Sequence, residues 1–292
     1  MTAEKNPNWT RYVPWIVVVI YAGVAPVFAS DPGNGTLLMF AAGIIMMLVH
    51  GTHRYGIKGI FVFAAIAAIV SVTLENLSIN TGFPFGWYHY GITDATRWRI
   101  IDAPLAVAPV YVAIGYLAWT IGNVALGFAD ERLHRGFNIV ALPLISTFIM
   151  VQFDVVQDPS TSTFAGIWTW HHGGGLFGVP LSNFLGWYLT CWIFMQLFTL
   201  YLAWNKATVR SSFETRNKSF WVPPILYYLL IGVTYIWQYL ANDGRLIVDP
   251  AGRQWRLDAL YESAVIIMLF TMLPSCAFAL LRLFEPREQS KN

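Results

Sequence analysis

Charge is what this sequence has least of. Only 12% of its 292 residues are charged, against about 25% in a soluble globular protein. That shortfall excludes an ordinary water-soluble domain and points to a bilayer as solvent. A net charge of +2 is too small to draw in nucleic acid. Cysteine is scarce as well. Cys191 and Cys276 stand far apart in apolar segments, so there is no CxxC motif and both read as packing residues. No Gly-Lys-Ser/Thr phosphate loop, serine-hydrolase elbow or dinucleotide fingerprint occurs. Six histidines are too few for the histidine boxes of membrane di-iron enzymes. His50 and His53 lie away from His89, His171 and His172, and His134 is alone in a loop.

Apolar and aromatic residues fill the space instead: 56% of the chain is hydrophobic and 13 residues are Trp. Eight apolar segments stand out: 13–29, 37–49, 60–77, 105–128, 137–156, 181–204, 222–240 and 259–284. A spanning helix needs about 20 residues, and most segments reach that with their flanks. The expected fold is therefore all-α: a polytopic membrane helical bundle of about eight transmembrane helices, one domain over residues 1–292. The second segment is short enough to be re-entrant or interfacial. Val27 and Ala29 resemble a signal-cleavage site, but the first segment is read as a retained span. Most of the 18 Lys and Arg fall in the two termini and the second, fourth and sixth loops. The positive-inside rule then puts both termini in the cytoplasm of a multi-pass protein in the cell (inner) membrane.

On this topology Glu75, Asp102, Asp154, Asp158, Asp243, Asp258 and Glu262 gather toward the non-cytoplasmic side. Glu4, Asp130, Glu131, Glu214, Glu285 and Glu288 sit among basic residues and read as a solvated face. A carboxylate at membrane depth is costly, so it faces protein or water and usually has a task. Asp154 with Asp158, and Asp258 with Glu262, are spaced i,i+4 and share a helical face. Two readings of such pairs stand open. One is an ion-pair network, with Arg245, Arg253 and Arg256 as partners; the other is an active site in which one carboxyl keeps its proton.

Two glycine-punctuated aromatic stretches follow acid-bearing segments: "TGFPFGWYHYG" (Thr81 to Gly91) and "GIWTWHHGGGLFGVPLSNFLGW" (Gly166 to Trp187). Irregular backbone at membrane depth is tolerated only where it lines a cavity or packs in protein. An interfacial belt is the plainer reading of Trp87, Trp168 and Trp170. It leaves Gly173–Gly175 and the His171–His172 pair unexplained. The "DVVQD" of Asp154–Asp158 has the form of a Mg²⁺-diphosphate motif in intramembrane prenyltransferases. Those enzymes need a second aspartate-rich motif, which is not found, and a cytosolic donor, whereas these aspartates map to the other side.

"ENLSINTGFPFGWYHYG" together with "DVVQDPSTSTFAGIWTWHHGGGLFGVPLSNFLGW" resembles the carotenoid biosynthesis protein family, the membrane carotenoid hydratases of the bisanhydrobacterioruberin hydratase and γ-carotene 1′-hydratase type. The likeness covers about Glu75 to Trp187. It departs at "IDAPLAVAP" (Ile101 to Pro109), where a Gly-Val-Pro-Leu-type opening is expected. The resemblance implies hydration of the terminal C1=C2 bond of an acyclic carotenoid. A carboxylic acid protonates C2, and water captures the tertiary cation at C1. No cofactor or metal is implied. The implied partners are a long polyene entering from the lipid bilayer and other membrane enzymes of the same pathway. Glu75, Asp154 and Asp158 are the expected acid–base set, with Asp102 and Glu262 as second choices. Trp87, Tyr88, Tyr90, Trp168, Trp170, Phe177 and Asn183 are expected to line the pocket, with His89 and His171 orienting. Aromatic faces would stabilise the cation by roughly 0.5–2 kcal/mol each. Two alternatives remain: an intramembrane prenyltransferase using Mg²⁺-diphosphate at Asp154 and Asp158, whose activity would require Mg²⁺ and an isoprenoid diphosphate, and a non-enzymatic carotenoid- or lipid-binding protein, in which Glu75→Gln should spare function.

Overall fold

The computed structural model describes residues 9–28, 32–91, 93, 96–249 and 252–285. Ala29, Glu4 and Glu288 lie outside them. The chain is mostly helical. In order it forms α1 (Val13–Phe28), α2 (Pro32–Thr81), β1 (Tyr88–Tyr90), β2 (Arg99–Ile100), β3 (Ala103–Pro104), α3 (Val107–Ala125), α4 (Asn138–Asp158), β4 (Trp168–Trp170), α5 (Leu181–Trp204), α6 (Phe213–Arg216), α7 (Lys218–Ala241), β5 (Leu246–Val248), β6 (Gln254–Arg256), α8 (Leu257–Phe270) and α9 (Met272–Phe284). Among the described residues, six runs are long and apolar enough to cross a membrane: Leu37–Thr81, Val107–Ala125, Asn138–Phe164, Leu181–Trp204, Lys218–Ala241 and Leu257–Phe284. A shorter apolar helix covers Thr10–Pro26.

The longest run is not one rod. Gly56 breaks α2 with φ 69° and ψ 165°, a backbone region in which a Cβ is strained. Met39 and Glu75 line one cavity, yet a straight helix would hold them about 50 Å apart. The two arms of α2 therefore fold back on each other. The segment 37–49, short by its apolar residues, is thus part of a full helical arm. The helix runs on through polar His50 and Arg54 because both find buried partners. His50 bonds the Tyr116 hydroxyl at 2.6 Å and the Phe220 carbonyl at 3.1 Å.

Helix α3 is the centre of the bundle and packs against α2, α4, α7 and α9. It is buried almost all round. Gly115 faces Phe194 and Gly122 faces Ser146 with no room for a Cβ, the small-residue contact by which membrane helices approach closely. The outer helices leave Val19, Phe61, Ile69, Phe148, Leu185 and Phe270 exposed, as lipid-facing side chains require.

At the Gly56 end, Arg54 donates to both carboxylate oxygens of Asp130, at 2.9 and 2.6 Å, and also pairs with Glu131 at 3.0 Å. The Tyr55 hydroxyl donates to Asp130 at 2.8 Å and itself accepts from Trp119 Nε1 at 2.8 Å. Asp130 is buried, so its reading as a solvated loop acid is wrong. Its partner comes from a distant turn and neutralises it inside the protein.

Short ribbons close the other end of this otherwise helical bundle. β1 pairs antiparallel with β4, β2 with β3 and β5 with β6. These segments follow helix ends whose Gly and Pro residues forbid continuation, and ribbon pairing satisfies their backbone groups near the membrane.

Candidate active site

The two aromatic stretches meet. In the β1–β4 ribbon Tyr88 lies opposite Trp170, His89 opposite Thr169 and Tyr90 opposite Trp168. Strand side chains alternate between faces, so Tyr88, Tyr90, Trp168 and Trp170 share one face. That face turns inward over Glu75. The Tyr88 hydroxyl donates to Glu75 Oε2, and the Tyr90 hydroxyl donates to the same oxygen at 3.4 Å. The other face carries His89, whose Nδ1 lies 2.9 Å from His171 Nε2 at the exposed surface.

On the facing helix, Asp154 and Asp158 share one side of α4, one turn apart. Asn183, near the start of α5, donates through one amide nitrogen to Asp154 Oδ2 at 2.9 Å and to Asp158 Oδ2. Both carboxyls and the amide are buried. Asp158 Oδ1 has no hydrogen-bond partner among the described residues. Beyond Asp158 the helix widens into a single π-helical turn, Pro159–Phe164, a distortion often found at functional sites. It brings Ser160, Thr161 and Phe164 to the same cavity as the aspartates.

Glu75, Asp154 and Asp158 line one cavity of about 260 Å³. Its walls are mainly apolar and aromatic: Tyr21 of α1, Met39 of α2, Tyr111 of α3, Trp187 of α5, Tyr235 of α7 and Tyr261 of α8, with Tyr90 and Trp168 from the ribbon. None of the three carboxyls makes an ion pair with a Lys, Arg or His among the described residues. The arginines proposed as partners are engaged elsewhere: Arg245 with Asp243, Arg253 with Asp249 and Arg256 with Asp258.

The other expected site residues do not reach the cavity. Asp102 accepts from Asn80 Nδ2 at 2.9 Å, while the backbone N–H groups of Asp102 and Ala103 donate to Asn76 Oδ1 at 2.8 and 3.1 Å. The "IDAP" departure is therefore a turn pinned to the end of α2. Glu262 is exposed and Asp258 pairs outward with Arg256, so the second i,i+4 pair is a surface ion-pair group. Trp87 is 44% exposed. Tyr88 and Trp170 are buried behind the cavity wall, ring centroids 4.9 Å apart. Asn183 acts through the aspartates, His89 and His171 sit on the outer face, and Phe177 packs on Trp255 at 5.3 Å. Several lining residues were not singled out: Tyr21, Tyr111, Tyr235 and Tyr261. Each is one aromatic in an apolar helix, and nothing local marks it.

The β5–β6 hairpin packs on the glycine run, where Gly173 and Gly174 leave no room for a Cβ. Arg253 donates to Asp249 at 2.7 Å and to the Gly174 carbonyl at 3.3 Å. Trp255 Nε1 donates to Asp249 at 2.9 Å. Burial by itself would raise the Asp249 carboxyl, but the Trp255 and Arg253 hydrogen bonds outweigh it and hold it below the usual carboxylate range. Gly173 has φ 60° and Gly178 φ 93°, and a Cβ on Gly174 would strike the backbone of Val179 and Pro180. Gly174→Ala is expected to lose about 1–3 kcal/mol of stability by forced backbone movement. An unchanged unfolding temperature in detergent would refute this packing account.

The family model described as "Carotenoid biosynthesis protein" matches residues 34–247. The chain belongs to the carotenoid biosynthesis protein family. The match takes in nearly all of α2, the ribbon, the aspartate pair and all of α7, so the three carboxyls of the cavity lie within it. No curated protein and no solved structure gives a match. Membership and the membrane-helical build fit a lipophilic carotenoid substrate reached from a bilayer.

Proposed function

We propose that this member of the family is a carotenoid hydratase, adding water across the terminal C1=C2 bond of an acyclic carotenoid. One observation carries the reading: three buried carboxyls with no cation partner among the described residues converge on a single aromatic-walled cavity. Two carboxyls bridged by a neutral amide do not both stay charged in such a site, so the Asp154–Asp158 pair carries one proton. Asp158, the member of the pair nearer the ribbon tryptophans, gives that proton to C2. The positive charge appears at C1, where the faces of Tyr90, Tyr111, Trp168 and Trp187 stabilise it. Water attacks C1, and Glu75, held by two tyrosine hydroxyls, takes the proton that the water releases. Glu75 then returns its proton to the aspartate pair across the cavity that all three carboxyls line. The balance is one water added and no net proton consumed.

The same reading has α1, the two arms of α2, α3, α4, α5, α7 and the α8–α9 run making eight crossings, with both termini cytoplasmic in the cell membrane. Arg54, Lys58, Arg132, Arg135, Lys206 and Arg210 then collect on the cytoplasmic side and the cavity on the other.

The test is expression in cells making lycopene or a related acyclic carotenoid. Absence of any hydroxylated product, with the protein present in membranes, sinks the proposal. Drug-sized ligand sites run about 300–1,000 Å³. The 260 Å³ cavity therefore takes one end group and leaves the rest of a C40 chain outside. A substrate with two reactive ends must leave and re-enter, so mono-hydroxy product should accumulate before the doubly hydrated one. Appearance of the doubly hydrated carotenoid without a mono-hydroxy phase would contradict end-on binding.

A further inference from the structure

The β2–β3 hairpin has no part in the chemistry above. Its turn is Ile101–Asp102, and a two-residue turn favours Gly or Asn where φ is positive. Ile101 has φ 60°, a region that a β-branched side chain enters only under strain, and it is 80% exposed. Trp98 and Ile100 alternate onto one face. Leu105 lies opposite Trp98 on the same face, its N–H donating to the Trp98 carbonyl at 2.7 Å. All three are exposed. An apolar tip held in strain and turned outward adds nothing to the fold. The tip also hangs at membrane depth. The N–H groups of Asp102 and Ala103 both donate to Asn76 Oδ1. Asn76 comes more than a full turn before Thr81, the last residue of α2. At 1.5 Å per residue the hairpin tip is therefore held about 7 Å inside that helix end, level with Glu75.

The base of the same hairpin reaches the cavity. Thr96, Pro104 and Ala106 line it, as do Ala165 and Ile167 after the π-helical turn. Of the described residues that line the cavity, Ala106 and Ala165 are the exposed ones, so the cavity meets the outside there. Hydrogen bonds join the two points into one rim. From Ala106 the chain reaches Leu105, which bonds Trp98. Thr96 Oγ1 donates to the Gly91 carbonyl at 2.5 Å, and the Gly91 N–H donates to the Ile167 carbonyl at 3.0 Å.

We propose that the β2–β3 hairpin is embedded in the non-cytoplasmic leaflet and forms the lip of the cavity mouth, over which the unreacted length of the carotenoid passes into the lipid. The inference rests on the hydratase reading for its substrate and adds the place where that substrate enters. The cavity takes one end group, so a C40 chain has to lie across a rim. This rim is exposed, its lip is apolar, and the lip sits beside a spanning helix rather than above it. The surroundings of Trp98, Ile100, Ile101 and Leu105 are then the acyl chains of the bilayer, which accept apolar side chains at no cost. Ala106 and Ala165 keep the gap open, because neither carries more than a methyl group.

Two readouts test the proposal. For the leaflet, Ile101→Cys is labelled with a cysteine-reactive NBD dye in vesicles of phosphatidylcholine and phosphatidylglycerol; Cys191 and Cys276 are buried and stay unlabelled. The dye should be quenched by lipids with a nitroxide on the acyl chain and shielded from aqueous iodide. Quenching by iodide and not by the lipid nitroxide overturns the embedded hairpin. For the mouth, Ala106→Trp and Ala165→Trp should each lower kcat/KM for lycopene by about 10–100-fold, with an unchanged unfolding temperature in detergent. Leu185→Trp adds the same bulk to an exposed position outside the cavity and should hydrate at the parental rate. Parental activity in both rim variants overturns the mouth, and so does an equal loss in the Leu185 variant. If Ala106→Trp does not fold, Ala165→Trp decides; failure of both to fold would make the rim a packed seam and overturn the assignment. A parent protein that gives no hydrated product sinks the hydratase reading and the carotenoid route with it. The dye readout does not depend on the reaction, so it still decides whether the hairpin is embedded.

Discussion

Glu75→Gln is expected to cut carotenoid hydration by about 10²–10⁴-fold, the usual cost of losing a positioned acid or base. The substitution keeps the shape of the side chain and an oxygen to receive the Tyr88 and Tyr90 hydroxyls, so insertion into the membrane and folding should survive. What disappears is the capacity to take a proton from the attacking water. Asp158→Asn should cost a similar factor for the opposite reason, because the proton for C2 is no longer there to give. Deuterium exchange separates the two. In D₂O the Glu75→Gln protein should still exchange deuterium into the recovered alkene, since protonation and its reversal remain. The Asp158→Asn protein should not. A Glu75→Gln protein that hydrates at the parental rate would leave the cavity as a binding site without this chemistry. The reverse exchange pattern would swap the two roles.

Asp130→Ala should produce the largest loss of stability, about 3–5 kcal/mol, as expected when one member of a buried ion pair is removed. Arg54 would be left charged and enclosed, its two bonds to the carboxylate gone. The Tyr55 hydroxyl would also lose its acceptor. Glu131 pairs with Arg54 too, but it is 46% exposed, and a solvated partner recovers little of the deficit. The measurement is unfolding in detergent. Replacing both residues together, Arg54→Met with Asp130→Leu, should recover much of the loss, because no charge is then stranded. A single variant as stable as the parent would mean that water reaches Arg54 and the pair is not truly enclosed. Hydration chemistry should be little altered at temperatures where the protein stays folded, since this cluster sits at the opposite end of the bundle from the cavity.

These sites differ in how legible they were. Composition was enough for the membrane-helical class, because a chain with so little charge cannot solvate a water-facing surface. Apolar run length located the helices closely; α5 begins and ends at Leu181 and Trp204, the ends of its apolar segment. Pro and Gly marked where helices had to stop, and the two aromatic stretches after those stops were recognisable as unusual before they were seen to pair.

Which acids converge was not written locally. Asp154–Asp158 and Asp258–Glu262 have the same i,i+4 spacing, and spacing establishes only that two side chains share a face. One face turned toward Asn183 and Glu75, the other toward Arg256 and the surface. Asp130 stands in a basic loop and looked solvated, yet its partner Arg54 lies 76 positions away. Tyr111 was one aromatic among many until the fold set it in the cavity wall. Sequence by itself determined the solvent, the helices and the chemical kinds of residue available, because these follow from local hydrophobicity and backbone freedom. Tertiary structure alone decided which carboxyls are paired and which face a cavity, because burial and pairing depend on neighbours that the chain brings together only when it folds.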